Sequence, residues 1–226
     1  MRIALGVAFA LLAAPALAAD AGRPAVIELF QSQGCSSCPP ANAALVRYAD
    51  RADWLALTFA VTYWDRLGWR DTFGRPEFTQ RQYAYARSLG EASVYTPEVV
   101  VNGRAAGVGD DVAEVEALAT KADRGASGPS VTLGGGSVAI GAGSAPGGAA
   151  DVWLALYDPR VLEVAVGRGE NAGRTLPHRN VVKRLLRVGT WDGAAETLAL
   201  PPAGGLARAV LVQKRGAGAI IAAGRG

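Results

Sequence analysis

The strongest constraint on this chain is a junction between a strand and a helix. The apolar run Ala25-Val26-Ile27-Glu28-Leu29-Phe30 reads as a strand, and Ala41-Asn42-Ala43-Ala44-Leu45-Val46-Arg47-Tyr48-Ala49 reads as a helix. The turn between them carries Cys35-Ser36-Ser37-Cys38, which holds both cysteines of the 226 residues. Pro39-Pro40 follows at once. Proline suits a first helical turn, where N–H groups have no partner within the helix, and suits the interior poorly. The two thiols therefore sit at the helix mouth. A helix N-terminus carries partial positive charge and free N–H groups, so it stabilises a thiolate. The second thiol, one turn on, can resolve a mixed disulfide. This spacing at this junction points to a dithiol redox centre.

Residues 1–19 read as an export signal. Arg2 supplies the positive start, and Ile3 to Ala14 is an apolar stretch too short to span a bilayer. Ala16-Leu17-Ala18 fits the small-x-small cleavage rule, with the cut after Ala18 or Ala19. No later run is apolar and long enough to cross a membrane. The expected location is periplasmic or secreted, in a bacterium, and such compartments permit disulfides. Two cysteines make no disulfide scaffold, and a chain of this length can bury a core without one. The formal charge of +3 falls by one when Arg2 leaves with the leader. No run of like charges is present, so nucleic acid and anionic membrane are poor partners.

Two regions follow. Residues 20–124 alternate strand and helix: strand 25–30, helix 38–50, strand 54–61, an irregular and helical stretch 63–90, strand 98–102 and helix 110–122. The stretch Ala122-Asp123-Arg124-Gly125-Ala126-Ser127-Gly128-Pro129 reads as a linker. From 130 to 226 the chain is Gly-rich and reads as short strands separated by turn signals such as Gly134-Gly135-Gly136, Asp158-Pro159, Asp192-Gly193 and Gly204-Gly205. That pattern favours a small antiparallel sandwich or barrel as a second domain.

Tyr95-Thr96-Pro97-Glu98-Val99-Val100-Val101-Asn102-Gly103 runs a Thr-Pro dipeptide straight into a β-branched strand that ends at an Asn-Gly turn. With the C-x-x-C pair, this resembles the thioredoxin/glutaredoxin superfamily, in which a cis proline before a strand faces the cysteines. The resemblance implies that Thr96 and Pro97 position an extended substrate. The segments 28–40, Tyr63-Trp64-Asp65-Arg66-Leu67-Gly68-Trp69, Phe78-Thr79-Gln80-Arg81-Gln82, 95–103 and 169–182 resemble an exported bacterial family called domain of unknown function 1223. That likeness covers nearly the whole mature chain. It implies a thioredoxin-like fold with a helical insertion, a β-rich C-terminal part and a redox site, and it names no substrate. The chain departs from standard thioredoxins in its Ser36-Ser37 dipeptide, in Gly34 before the first cysteine, and in the 58 residues between Cys38 and Pro97.

The expected function is an exported thiol–disulfide oxidoreductase. Cys35, read as the more exposed thiol, is the nucleophile, and Cys38 resolves. No organic cofactor is implied, because the redox-active disulfide suffices. The partners are a protein or small thiol/disulfide substrate and a second redox protein. Glu28, alone among apolar residues in its strand, is a candidate proton acceptor for the resolving thiol; the alternative is an edge position facing water. Tyr63, Trp64 and Trp69, with Phe73, Phe78, Tyr83 and Tyr85, form either a lid beside Cys35 or a self-packed helical subdomain. His178, the one histidine, lies in a Gly/Pro-rich loop whose arginines suit contact with the first domain or a partner. Zinc is disfavoured, since two Cys and one His fall short of about four ligands. Covalent haem is disfavoured because Pro39, not His, follows Cys38. Two alternatives stay open: a binding or assembly module stapled by a structural disulfide, and a copper-handling protein holding Cu(I) between two thiolates.

Overall fold

A computed structural model describes residues 23–125, 127–145 and 147–226. The export signal read in residues 1–19 lies outside the described residues. Among the described residues no helix is long and apolar enough to cross a membrane.

The first half begins with β1 (Ala25–Gln31), α1 (Pro39–Tyr48) and β2 (Trp54–Ala60), with β2 parallel to β1 in the register Ile27 to Ala56. A short 3-10 turn (Asp65–Leu67) and α2 (Pro76–Leu89) follow. The antiparallel pair β3 (Glu98–Val101) and β4 (Ala105–Gly107) and the helix α3 (Val112–Lys121) complete this half. The local signals are plain. Ala41, Ala44, Leu45 and Tyr48 repeat at helical spacing and form the buried face of α1. Pro76 opens α2, and Gly90, at φ +73°, closes it in the left-handed region that glycine tolerates. The Asp111 carboxylate accepts the Ala113 N–H at 3.1 Å and caps α3.

The second half adds β5 (Val131–Gly134), β6 (Ser137–Ile140), β7 (Ala150–Asp158), β8 (Leu162–Ala165), β9 (Thr175–His178), β10 (Val181–Trp191), β11 (Glu196–Ala199), β12 (Ala207–Lys214) and β13 (Ile220–Arg225). These strands do not all keep to a layer of their own. β7, β10, β12 and β13 continue the sheet of the first half, in the order β13-β12-β7-β10-β2-β1-β3-β4. The fold is therefore mixed α/β around one eight-stranded mixed sheet, with a three-stranded antiparallel sheet (β11-β6-β5) and a two-stranded one (β8-β9) beside it.

The seam between the halves is narrow. β10 meets β2 in parallel at Val181 and Thr58. Side chains reinforce it: Thr58 Oγ1 donates to Arg179 O at 2.7 Å, and Asn180 Nδ2 donates to Ala56 O at 2.8 Å. Asn180 stands at φ +52°, a conformation asparagine adopts more readily than most residues.

One face of the large sheet is shared by both halves. There Phe30, Phe59, Phe78 and Tyr85 pack with Ala155, Val182, Leu211 and Ile220 beneath α2. The Phe59 and Phe78 rings meet edge to face, 5.2 Å between centroids. The opposite face is divided. In the first half α1 and α3 cover Ile27, Leu29, Val99 and Val101. In the second half the three-stranded sheet covers Val152, Leu154, Val210 and Val212, a sandwich-like arrangement limited to this part. Each of these large apolar side chains contributes about 1.5–3 kcal/mol by leaving water, so the core that crosses the seam binds the halves more strongly than the few seam hydrogen bonds do.

Candidate functional site

Cys38 is the N-cap residue of α1, with Pro39 and Pro40 at its first positions, as the junction in the sequence predicts. Cys35 and Cys38 are joined in a disulfide. The Thr96–Pro97 peptide bond is cis, and Thr96 O lies 3.7 Å from Cys35 Sγ. The Ser37 hydroxyl donates to the same carbonyl at 3.2 Å and stands 3.3 Å from Cys35 Sγ. The fold thus brings Cys35, Cys38, Thr96 and Pro97 together. It does not make Cys35 the more exposed thiol: both cysteines are wholly buried, while Ser36 and Ser37 between them are exposed.

Two segments build the walls. The first is the insertion after β2. Trp64 Nε1 donates to Thr96 Oγ1 at 2.7 Å, and Trp69 Nε1 donates to Gln33 Oε1 at 2.9 Å. Tyr63 and Trp64 pack on the core beneath α2. Trp64 also occupies the space beside Gly34, where an added Cβ would meet Trp64 Cβ at 3.4 Å. The insertion thus sets an aromatic residue against the glycine that precedes Cys35. Asp71, 3% exposed, accepts the N–H groups of Gln33 at 2.7 Å and Phe73 at 2.8 Å. Burial, opposed by those two bonds, pushes its carboxyl up to about 6.

The second wall comes from the β8–β9 hairpin of the second half. Asn171, wholly buried, donates from Nδ2 to Gln33 O at 2.9 Å and to Cys35 O at 2.8 Å. Glu170 Oε2 accepts the Ser36 N–H at 3.2 Å. Neither residue stood out singly in the sequence; the loop was marked by its likeness to the family over 169–182 and by arginines suited to contact with the first domain, a contact that Glu170 and Asn171 make instead.

Glu28 is neither at an edge nor facing water. It lies on the α2 face of the sheet, whereas α1 covers the other face. Arg81 clasps it from Nε at 2.7 Å and Nη2 at 3.1 Å, and the Tyr85 hydroxyl donates to Oε2. Gln213 of β12 accepts from Arg81 at 3.1 Å and so ties the second half to this buried pair. With both oxygens engaged, and on the face away from α1, Glu28 is poorly placed to take a proton from Cys38. A different carboxyl stands next to Pro97. Glu98 is buried and accepts from Gln82 Nε2 at 2.5 Å, while its Oε1 has no donor. Burial, with the Glu91 carboxylate adding to it, pushes Glu98 up to about 8.

His178 is on strand β9, not in a loop, and is 1% exposed. Neither ring nitrogen has a hydrogen-bond partner, and burial followed by the Lys183 charge pushes its pKa down to about 4. It is a neutral packing residue against Phe73. Among the described residues no group of three or more His, Cys, Asp or Glu side chains is placed to hold a metal ion.

The profile of a family described as "Protein of unknown function (DUF1223)" matches residues 26–213. The chain is similar in structure to protein AGR_C_4864 from Agrobacterium tumefaciens, with a TM-score of 0.74, 35% identity, and 89% of this chain and 92% of that one covered. It shares a fold with HBP35 of Porphyromonas gingivalis, with a TM-score of 0.63 at 13% identity, over 91% of this chain and 75% of that one. No curated protein matches. With the family profile spanning most of its length and a relative of 35% identity along nearly all of it, the chain belongs to the DUF1223 family.

Proposed function

We propose that this protein is a thioredoxin-like thiol–disulfide oxidoreductase, exported to the periplasm or secreted, with Cys35 as nucleophile and Cys38 as resolving thiol. The observation that carries the reading is the disulfide at the mouth of α1, set against the carbonyl of Thr96 in a cis Thr-Pro dipeptide. The order β1-α1-β2, then the β3–β4 hairpin and α3, supports the thioredoxin-like reading of the first half.

The exchange balances without a cofactor. A substrate thiolate attacks Cys35 Sγ; the Cys35–Cys38 bond breaks, and Cys38 leaves as a thiolate. A second substrate thiolate attacks the substrate sulfur of the mixed disulfide, and Cys35 leaves as a thiolate. Two electrons pass to the cysteine pair, and the substrate dithiol becomes a disulfide. Protons released by the substrate thiols go to the new thiolates or to solvent. Run backwards, the same steps reduce a substrate.

Pro39 and Pro40 shape the electrostatics. They lack N–H groups, so the first turn of α1 offers fewer direct donors to a thiolate than a helix mouth ordinarily does. The partial charge of the helix remains, and on reduction the Ser37 hydroxyl, which donates to Thr96 O beside the disulfide, can turn its one hydrogen to a Cys35 thiolate 3.3 Å away.

The burial of both sulfurs favours a second reading, a binding module in which the disulfide is a staple. Equilibration of Cys35–Cys38 with glutathione, together with a test of exchange with a reduced, unfolded protein, separates the two. A redox enzyme exchanges readily. A potential below about −300 mV, the range of structural disulfides, with no exchange would sink the enzyme reading.

A further inference from the structure

Both sulfurs are wholly buried although the dipeptide between them is exposed. Attack on a disulfide needs an approach to sulfur, so some part of the surround must move. The walls differ in how firmly they are held. The insertion is pinned by Trp64 on Thr96, by Trp69 on Gln33, by Asp71 on Gln33 and by aromatic packing under α2. Thr96 and Pro97 lead directly into β3, inside the large sheet.

The hairpin is different. Among the described residues β8 and β9 pair only with each other. Its base is anchored by Val166, Leu176 and His178, all nearly fully buried. Its tip, residues 167–174, has a single buried residue, and that residue is polar: Asn171. The tip rests on the two Asn171 bonds to the cysteine loop, the exposed Glu170 contact, and a close approach to the insertion. At Gly169, φ +77°, an added Cβ would come within 3.3 Å of Trp69 Cβ, so glycine permits both the turn and the contact. Arg174, exposed, donates to Asn171 Oδ1 at 2.9 Å and holds the amide in its orientation. An element with few buried apolar contacts above a well-packed base is the part of a fold that opens first.

We propose that the 167–174 tip is a removable cover over the Cys35–Cys38 disulfide, and that Asn171 is the positioning residue that seats it on Gln33 and Cys35. The proposal rests on the redox reading only in taking Cys35 as the sulfur to be reached. It adds that exchange is gated: a reductant reacts only while the tip is lifted.

The test is reduction of the oxidised full-length mature protein by dithiothreitol, followed by alkylation and mass measurement. Each dithiothreitol that forms its cyclic disulfide passes two electrons to the cysteine pair. If the cover gates access, the rate levels off at high dithiothreitol, at the opening rate, and that plateau lies well above the global unfolding rate measured by pulse proteolysis. Asn171→Ala removes both bonds to the cysteine loop and should raise the plateau about tenfold, the worth of one or two net hydrogen bonds. Arg174→Gln changes an exposed residue, keeps the fold intact, and should raise it less in the same direction. The cover is overturned if the wild-type rate is linear in dithiothreitol and the same in both variants, because the sulfurs are then reached with the tip in place. It is equally overturned if reduction proceeds only at the global unfolding rate. Failure of the redox reading would look different: gated reduction by dithiothreitol, with no exchange with protein thiols and a potential in the structural range.

Discussion

The neutral, unpartnered state of His178 predicts a specific dependence of stability on pH. The ring is 1% exposed and stands edge-on to Phe73, with centroids 5.6 Å apart. Burial, and then the Lys183 ammonium, lower its pKa from 6.5 to about 4. Below about pH 6.5 the unfolded chain binds a proton on this imidazole, and the folded chain does not until about pH 4. The stability tied to the neutral ring is therefore complete above pH 6.5 and is lost as pH falls through that window. From 6.5 to about 4, at 1.36 kcal/mol per pH unit, the loss is roughly 3 kcal/mol. Asp71 works in the opposite sense. Burial raises its pKa from 3.8 to about 6, so its contribution is complete below 3.8 and is lost as pH rises through 6, again by roughly 3 kcal/mol. In the wild type the two contributions largely cancel between pH 4 and 6. His178→Phe removes one and uncovers the other.

Urea unfolding of wild type and His178→Phe at pH 4, 5, 6 and 7 measures this. The unfolding free energy of the variant minus that of the wild type should grow by about 3 kcal/mol as pH drops from 7 to 4. The offset at pH 7 carries no weight, because phenylalanine also changes the packing. Parallel curves across the range would refute the reasoning, since they would mean that the folded state protonates His178 as easily as the unfolded chain does.

Three other outcomes are expected. Ser37→Ala removes the hydroxyl beside Cys35 Sγ; its bond to a Cys35 thiolate in the reduced form is stronger than its bond to Thr96 O in the disulfide form, so the reduction potential should fall by roughly 10–30 mV in a glutathione titration. Arg81→Met leaves Glu28 buried without its counter-charge and should cost about 3–5 kcal/mol by denaturant unfolding, while the double variant with Glu28→Gln should recover most of that loss. Glu98, raised from 4.5 to about 8, contributes stability that is complete below 4.5 and is lost as pH rises through 8, so Glu98→Gln should flatten the alkaline decline seen for the wild type in thermal melts.

What was legible in the sequence was local, and the physical reason is range. The mouth of α1 is specified within a few residues by a strand, a C-x-x-C pair and two prolines, so its placement could be read directly. The turn signals Gly134-Gly135-Gly136 and Gly204-Gly205 stand just ahead of β6 and β12, as local breaks between short strands should. The seam did not. A drop in complexity near 125–129 suggested a boundary, yet all seven residues of β2 are buried, the pattern of an interior strand with neighbours on both sides. β1 supplies one neighbour, and the other, β10, arrives from more than 120 residues away. Glu28 was ambiguous for the same reason: a lone carboxylate in an apolar strand finds its meaning only in Arg81, 53 positions on. Asn171 is the extreme case, since nothing in a polar, Gly-rich loop marks which side chain will be buried against a carbonyl 136 positions earlier. The thiol chemistry needs only a helix mouth and an i, i+3 pair, and local rules specify both. Access to that chemistry depends on a hairpin tip held by long-range bonds to the cysteine loop. Accessibility is also the property that separates a redox catalyst from a staple, so the deciding information lies in contacts that no local motif encodes.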